Sequence, residues 1–377
     1  MYEDWQRSKA QRALSQTGEF LRRFNLDTLL LAGLGLVMAF GLFVLYSASG
    51  EKFALWEAQV MRFALAVGGM VLIAQIPPQW IRRTAPVVYV IGIVMLLLVA
   101  VVGEISLGAQ RWLNLGFVRF QPSELMKLAV PLTCAWWLHE RPVPPSPRDL
   151  LVLLLIIGVP FLLIAEQPDL GTAILVGSAG VFVVLLAGLS WQVIASGAAL
   201  LAAAVPFAWN FLLHDYQRQR VKMLLDPMQD PLGKGYHIIQ SQIAIGSGGV
   251  FGKGWMNGSQ AQLEFLPERS TDFIFAVIGE ELGLLGQGVL LLLYAWVIGR
   301  ALFMAMDARD TFGRLASGSI ALTFAVYVVV NAGMVCGLLP VVGVPLPLVS
   351  YGGTSAVTLL AGFGILLSIH SHRKLVR

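Results

Sequence analysis

Charge is what this sequence has least of. Only 13% of its 377 residues are Asp, Glu, Lys or Arg, about half the share found in soluble domains. So few charges cannot coat a water-soluble surface for a chain this size, which excludes a soluble multidomain enzyme. Disorder is excluded as well, because it requires low hydrophobicity and here 57% of residues are apolar. Cysteine is nearly absent. Cys134 and Cys336 both lie inside apolar runs, with no disulfide framework and no Cys/His zinc spacing. The five histidines look peripheral: His139, His370 and His372 at helix ends, His214 and His237 in a long loop. None has ligand spacing. A Gly-x-Ser-x-Gly elbow and an HExxH pair are both missing. The apolar/polar alternation of a porin-type barrel is missing too.

Long unbroken apolar runs are present instead, with a mean hydropathy of +0.74. They predict an all-α, polytopic integral membrane protein. Ten candidate spans read as 27–48, 57–76, 84–103, 121–139, 150–165, 170–189, 192–213, 272–302, 316–339 and 352–370, the fifth short and the eighth long. The first run is too long for a signal-peptide core of about 7–15 residues and reads as a retained span. The chain reads as one membrane domain, 1–377, with an N-terminal tail over 1–26 and one large loop over 214–271. Pro142–Pro147 is a stiff connector.

The net charge of +4 does not point to nucleic acid, since the basic residues are scattered rather than interleaved with aromatics. Their distribution is a topology signal. With both termini cytoplasmic, inner segments hold 15 of the 26 Lys and Arg residues, among them Arg82, Arg83, Arg141, Arg148, Arg300, Arg373, Lys374 and Arg377. The outer segments then hold Lys52, Arg62, Arg111, Arg119 and Lys127. This asymmetry favours termini inside and the loops over 104–120 and 214–271 outside.

Ionisable residues inside spans are expensive and mark candidate sites. Glu124 and Lys127, three apart in the fourth span, share a helix face and are expected to pair. The pair reads either as a structural clasp or as the wall of a polar cavity. Glu280 and Glu281 are adjacent, so they cannot both face one cavity, and Gly279 and Gly283 around them form a small-xxx-small pattern. Asp272 ends the long loop where a span begins. One reading is an acidic first-turn residue with Ser270 or Thr271 as cap; the other is a general base at the mouth of a membrane cavity. The glycine-rich stretch Ile245–Trp255, with Lys253 and with Arg218 and Arg220 upstream, reads as an anion-binding loop or as a flexible solvated one.

Several blocks carry a resemblance. Asn331 to Ser355, through Gly337, Pro340, Gly343, Pro345-Leu-Pro347 and Ser350-Tyr-Gly-Gly-Thr354, resembles the signature of the SEDS (shape, elongation, division and sporulation) family over 25 residues. So do Leu45–Ser49, Gly108–Trp112, Gln121–Glu124 with Lys127, Gln167–Thr172 and Thr271–Phe273. The wording is nearest the elongation branch, with the division branch the close alternative. The resemblance implies a ten-helix inner-membrane peptidoglycan glycosyltransferase that polymerises glycan strands from lipid II beside a class B penicillin-binding protein. It places the family's essential aspartate on Asp272 and its intramembrane ion pair on Glu124 and Lys127. Arg111, Trp112, Gln121, Asp169, Arg218, Arg220, Lys253, Ser350 and Thr354 become candidate substrate-binding residues. A departing diphosphate needs cations, for which Arg111, Arg218, Arg220, Lys253 or a divalent Mg or Mn ion qualify. A lipid II flippase and a scaffold for the partner synthase are the competing readings.

Overall fold

A computed structural model describes residues 26–372 except 107, 108, 115, 117, 118, 213, 214, 232 and 234. The tail over 1–26 (save Leu26), Gly108, His214, Arg373, Lys374 and Arg377 lie outside the described residues.

The apolar runs form helices α1 (Thr28–Ala48), α2 (Phe53–Ala74), α3 (Pro78–Val102), α4 (Pro122–Leu138), α5 (Pro147–Glu166), α6 (Leu170–Leu186) and α7 (Trp191–Phe207). Three short helices follow, α8 (Asp215–Leu225), α9 (Tyr236–Gly248) and α10 (Ser259–Gln262), then α11 (Ile274–Met306), α12 (Thr311–Val335) and α13 (Gly353–Ser371). Among the described residues, eight helices are long and apolar enough to cross a membrane. The shorter two, α4 and α6, have 17 residues each, about 26 Å. Helix α4 buries 13 of its 17 residues, so its charges face protein rather than lipid.

Two expectations are corrected. The fifth run is not short. Ser146 and Asp149 form a reciprocal capping box with Pro147 in the first turn, so the helix starts three residues early and runs for 20. The eighth run is not one helix. Gly283 has φ 65° and ψ −165°, a conformation open essentially to glycine alone, and it divides α11 into a short first arm and a long second one. Gly283 is therefore a break, not half of a small-residue packing stripe.

The glycine-rich stretch is also corrected, because its amides serve this break rather than an anion. Lys253 N–H donates to Glu280 O (2.9 Å) and Gly254 N–H to Glu281 O (3.0 Å). Past the break, Leu284 N–H reaches Gly249 O (3.0 Å) and Leu285 N–H reaches Val250 O (3.1 Å). Glycine is needed at 252 because a Cβ there would collide with the Glu281 carbonyl. Glu280 and Glu281 diverge as their adjacency requires. Glu280, fully buried, accepts from Lys253 Nζ (2.7 Å), Ser259 Oγ (3.1 Å) and the backbone N–H groups of Gln260 (2.9 Å) and Ala261 (3.2 Å). Glu281 accepts from Ser47 Oγ at 2.6 Å.

Two apolar cores hold the bundle. One joins α1, α2, α11, α12 and α13, and the other joins α3, α4, α5, α6 and the far ends of α12 and α13. Between them a small cluster packs Leu175 of α6, Tyr327 of α12 and Val344. Helix α7 belongs to neither core, and none of its apolar window is buried. The segment between α3 and α4 folds into an antiparallel sheet of β1 (Glu104–Ser106), β2 (Ala109–Asn114) and β3 (Arg119–Phe120).

Candidate active site

The loop between α12 and α13 sits at the seam of the two cores, with a polar centre on either side. On one side is Asp272, two residues before α11 begins. Neither it nor its neighbours cap that helix: the position before α11 is Phe273, with no side-chain cap. Thr271 Oγ1 instead donates to Glu268 Oε2 at 2.7 Å. The Asp272 backbone is clamped from behind. Asn331 Nδ2 of α12 donates to Asp272 O (2.9 Å) and to Val344 O (2.7 Å). Ser350 Oγ donates to Thr271 O (2.5 Å) and accepts from Leu346 N–H (2.8 Å). Tyr351 N–H reaches Ser270 O at 2.8 Å. Gln59 and Arg62 of α2 hold the far side of this clamp: Gln59 Oε1 accepts from Gly352 N–H (3.3 Å), and Arg62 lies 4.4 Å from the Tyr351 ring centroid.

The Asp272 side chain is left facing the loop. A Cβ placed on Gly343, whose φ is +75°, would come 3.4 Å from Asp272 Oδ2. The carboxyl is half-buried. Burial pushes its pKa up to about 6; nearby Glu268 adds to the rise and Arg220 opposes it. A carboxylate poised near neutrality is suited to general-base work. His237, which the sequence places at the periphery, stacks on Phe273 with ring centroids 5.7 Å apart. Burial lowers its pKa, against the pull of Glu268.

On the other side of the loop, three of the candidate residues meet. Arg111 of β2 donates from Nε to Gln167 O at 3.2 Å, reaches Pro168 O through Nη2, and lies 3.8 Å from Asp169 Oδ2. Gln121 Nε2 donates to the same Asp169 oxygen at 3.2 Å, while Asp169 Oδ1 caps α6 through Thr172 N–H (3.2 Å). Next to Asp169 in sequence, Gly171 is met by Val342 of the loop, whose carbonyl would lie 2.9 Å from a Cβ there. Residues 342 and 343 thus bridge the Asp169 cluster and Asp272. One turn into α4, Lys127 Nζ and Glu124 Oε1 pair at 2.6 Å. The ammonium sits 5.0 Å from the Tyr327 ring centroid. Lys127, Thr323, Tyr327 and Thr358 contribute the polar wall of a narrow crevice of about 20 Å³, where Thr323 Oγ1 is buried without a hydrogen-bond partner, as Glu124 Oε2 is in the pair itself.

The other candidates stand differently. Lys253 is spoken for by Glu280, as described above. Arg218 lies 3.6 Å from Asp215 and donates to Asn210 O at 3.1 Å, whereas Arg220 is close enough to act on Asp272. Ser350 is a backbone clasp, 4% exposed. Trp112 pairs across the sheet with Glu104, and Thr354 lies in the first turn of α13. Asn331 was not singled out from the sequence as a site residue. Its signal was an amide in the middle of an apolar span, where polar groups are expensive.

Comparison with known proteins identifies the family. The model of the FtsW/RodA/SpoVE family, described as cell cycle protein, matches residues 23–375. The chain belongs to that family, the SEDS family. It is 54% identical to the peptidoglycan glycosyltransferase MrdB of Escherichia coli strain K12 over 95% of this chain and 96% of that protein. It is 34% identical to stage V sporulation protein E of Bacillus subtilis strain 168, over 92% and 98% of the two chains. Among solved structures, a chain from work on the structural coordination of polymerization and crosslinking by a peptidoglycan synthase complex superimposes with a TM-score of 0.80 at 36% identity, covering 92% of this chain and 98% of that one. The rod shape determining protein RodA of Thermus thermophilus gives 0.70 at 30% identity, covering 92% and 97%.

Proposed function

We propose that this SEDS protein is a peptidoglycan glycosyltransferase that polymerises glycan strands from lipid II during cell elongation. The observation that carries the mechanism is the Asp272 carboxyl, held at the mouth of α11 with its pKa raised to about 6. Glycan extension joins a sugar hydroxyl to an anomeric carbon that loses a lipid diphosphate. Asp272 takes the hydroxyl proton as the new bond forms, a role worth about 10²–10⁴ in rate. Arg220 is the cation best placed for the departing diphosphate, and Arg111 is held nearby at the Asp169 cluster.

Among the described residues no three His, Cys, Asp or Glu side chains gather to hold a metal alone. Glu268, beside Asp272, would hold Mg or Mn jointly with the substrate diphosphate, the usual manner for Mg, leaving Asp272 free as the base. The Lys and Arg asymmetry supports an inner-membrane topology with both termini cytoplasmic and Asp272 facing the periplasm. The likeness to a chain of a peptidoglycan synthase complex supports a class B penicillin-binding protein as partner. The test is polymerisation of lipid II by the purified, reconstituted chain with and without that partner. Asp272→Asn abolishes product while the protein stays folded; full activity in the variant removes Asp272 as the base.

A further inference from the structure

At the end of the bundle away from Asp272 lies a second polar feature, which the reaction does not use. Helix α4 separates the two: its first turn adjoins the Asp169 cluster, and its last residue precedes His139. Arg82, Trp136, Trp137, His139, Glu140 and Arg141 line a pocket of about 420 Å³ open to the surroundings. Trp80 and Trp136 are exposed at this end, where tryptophan marks the headgroup level of a membrane.

The charges of this pocket are arranged unusually. Arg141 is neutralised: it pairs with Asp149 at 2.7 Å and lies 3.8 Å from the Trp137 ring centroid. Arg82 is not. Its Nη1 lies against Nε2 of His139 rather than against a carboxylate. The other nitrogen, Nδ1, lies 3.9 Å from Asp310 Oδ2, beyond hydrogen-bond reach. A half-buried guanidinium therefore rests on an imidazole ring, with no carboxylate paired to it among the described residues. Glu140, exposed on the same wall, has no ion-pair partner among the described residues either. A cation and an anion thus share one pocket without pairing with each other.

We propose that this pocket binds a zwitterionic phospholipid headgroup that joins a phosphodiester to a primary ammonium, as phosphatidylethanolamine does. The planar guanidinium of Arg82 takes the phosphate, Glu140 takes the ammonium, and Trp136 covers the glycerol region. An anionic headgroup would leave Glu140 facing negative charge. A trimethylammonium headgroup would offer Glu140 no donor.

The test is native mass spectrometry of the full chain in detergent, titrated separately with phosphatidylethanolamine, phosphatidylcholine and phosphatidylglycerol of the same acyl chains. Phosphatidylethanolamine is expected to bind about fivefold more tightly than the other two, the worth of roughly one interfacial charge. Arg82→Gln weakens it by a similar factor, Glu140→Gln removes its advantage over phosphatidylcholine, and Arg83→Gln, one residue outside the pocket, changes neither. Equal binding of the three lipids, a preference for phosphatidylglycerol, or an Arg83→Gln effect as large as that of Arg82→Gln overturns the proposal. So does displacement of the lipid by low-millimolar inorganic phosphate, which would mark a site for soluble anions. Should Arg82→Gln fail to fold, the wild-type selectivity and the exposed Glu140→Gln variant decide the matter.

Discussion

Replacing Lys127 by Met should damage this protein more than replacing Lys127 and Glu124 together. Both residues are 7% exposed and pair at 2.6 Å inside α4. The second carboxylate oxygen of Glu124 already lacks a partner, so nothing nearby is ready to take over from the ammonium. Lys127→Met leaves a buried carboxylate uncompensated, at about 3–5 kcal/mol. Glu124→Met with Lys127→Met removes both charges and should cost about 1 kcal/mol or less, since an apolar replacement of a buried pair at similar volume is often neutral. At about 2–4 °C per kcal/mol for a chain of at least 150–250 residues, the single variant melts roughly 6–20 °C lower and the double within a few degrees of wild type. The assay is the monodisperse fraction by size-exclusion chromatography after a heating series in detergent. A double variant that falls as far as the sum of the two singles would refute the pairing argument.

Polymerisation should rise with pH and level off above about 6, because the base must be ionised and the Asp272 pKa is raised to about 6; kcat/KM between pH 5 and 8 reads this, and a flat profile contradicts it. The same raised value means that the folded chain keeps a proton the unfolded chain has lost between the ordinary carboxylate range and about 6, so this group's contribution to stability falls as pH rises through that window. Asp272→Asn should lose that pH dependence in a melting series. Asn331→Ala removes donors to two carbonyls, about 1 kcal/mol each. It should lower kcat about tenfold or more while leaving KM nearly unchanged; a KM effect alone would mean that Asn331 touches substrate instead. Gly283→Ala places a side chain at φ 65° and against Val250 O at 2.5 Å, so it should lower expression and melting temperature by at least about 3 kcal/mol of stability, whereas Gly288→Ala, with open space around it, should not.

The all-α membrane class and the order of the apolar helices were legible in the sequence because an apolar stretch of about 20 residues has few alternatives to a spanning helix. The i, i+3 spacing likewise sufficed to pair Glu124 with Lys127. Local wording was enough to pick out Asp272 as a lone carboxylate where a loop meets a span. Hydropathy could not reveal the break at Gly283, since a glycine inside an apolar run looks the same whether it packs a helix or ends one. Nor could composition say what the glycine-rich stretch is for. Its amides and Lys253 look free for an anion until α11 is placed beside them, and then they are occupied by the carbonyls and carboxylates of residues 280 and 281.

The sequence by itself determined the solvent this protein lives in, its helices and its candidate base, because those follow from local composition and short-range periodicity. Only the tertiary structure decided which side chains surround that base. Asn331, Gly343 and Ser350 are 59, 71 and 78 residues beyond Asp272 and reach it only when the loop from α12 to α13 is seated at the seam. The raised pKa of Asp272 is a property of that assembled neighbourhood, since desolvation and the field of Glu268 and Arg220 depend on distances that chain order does not encode.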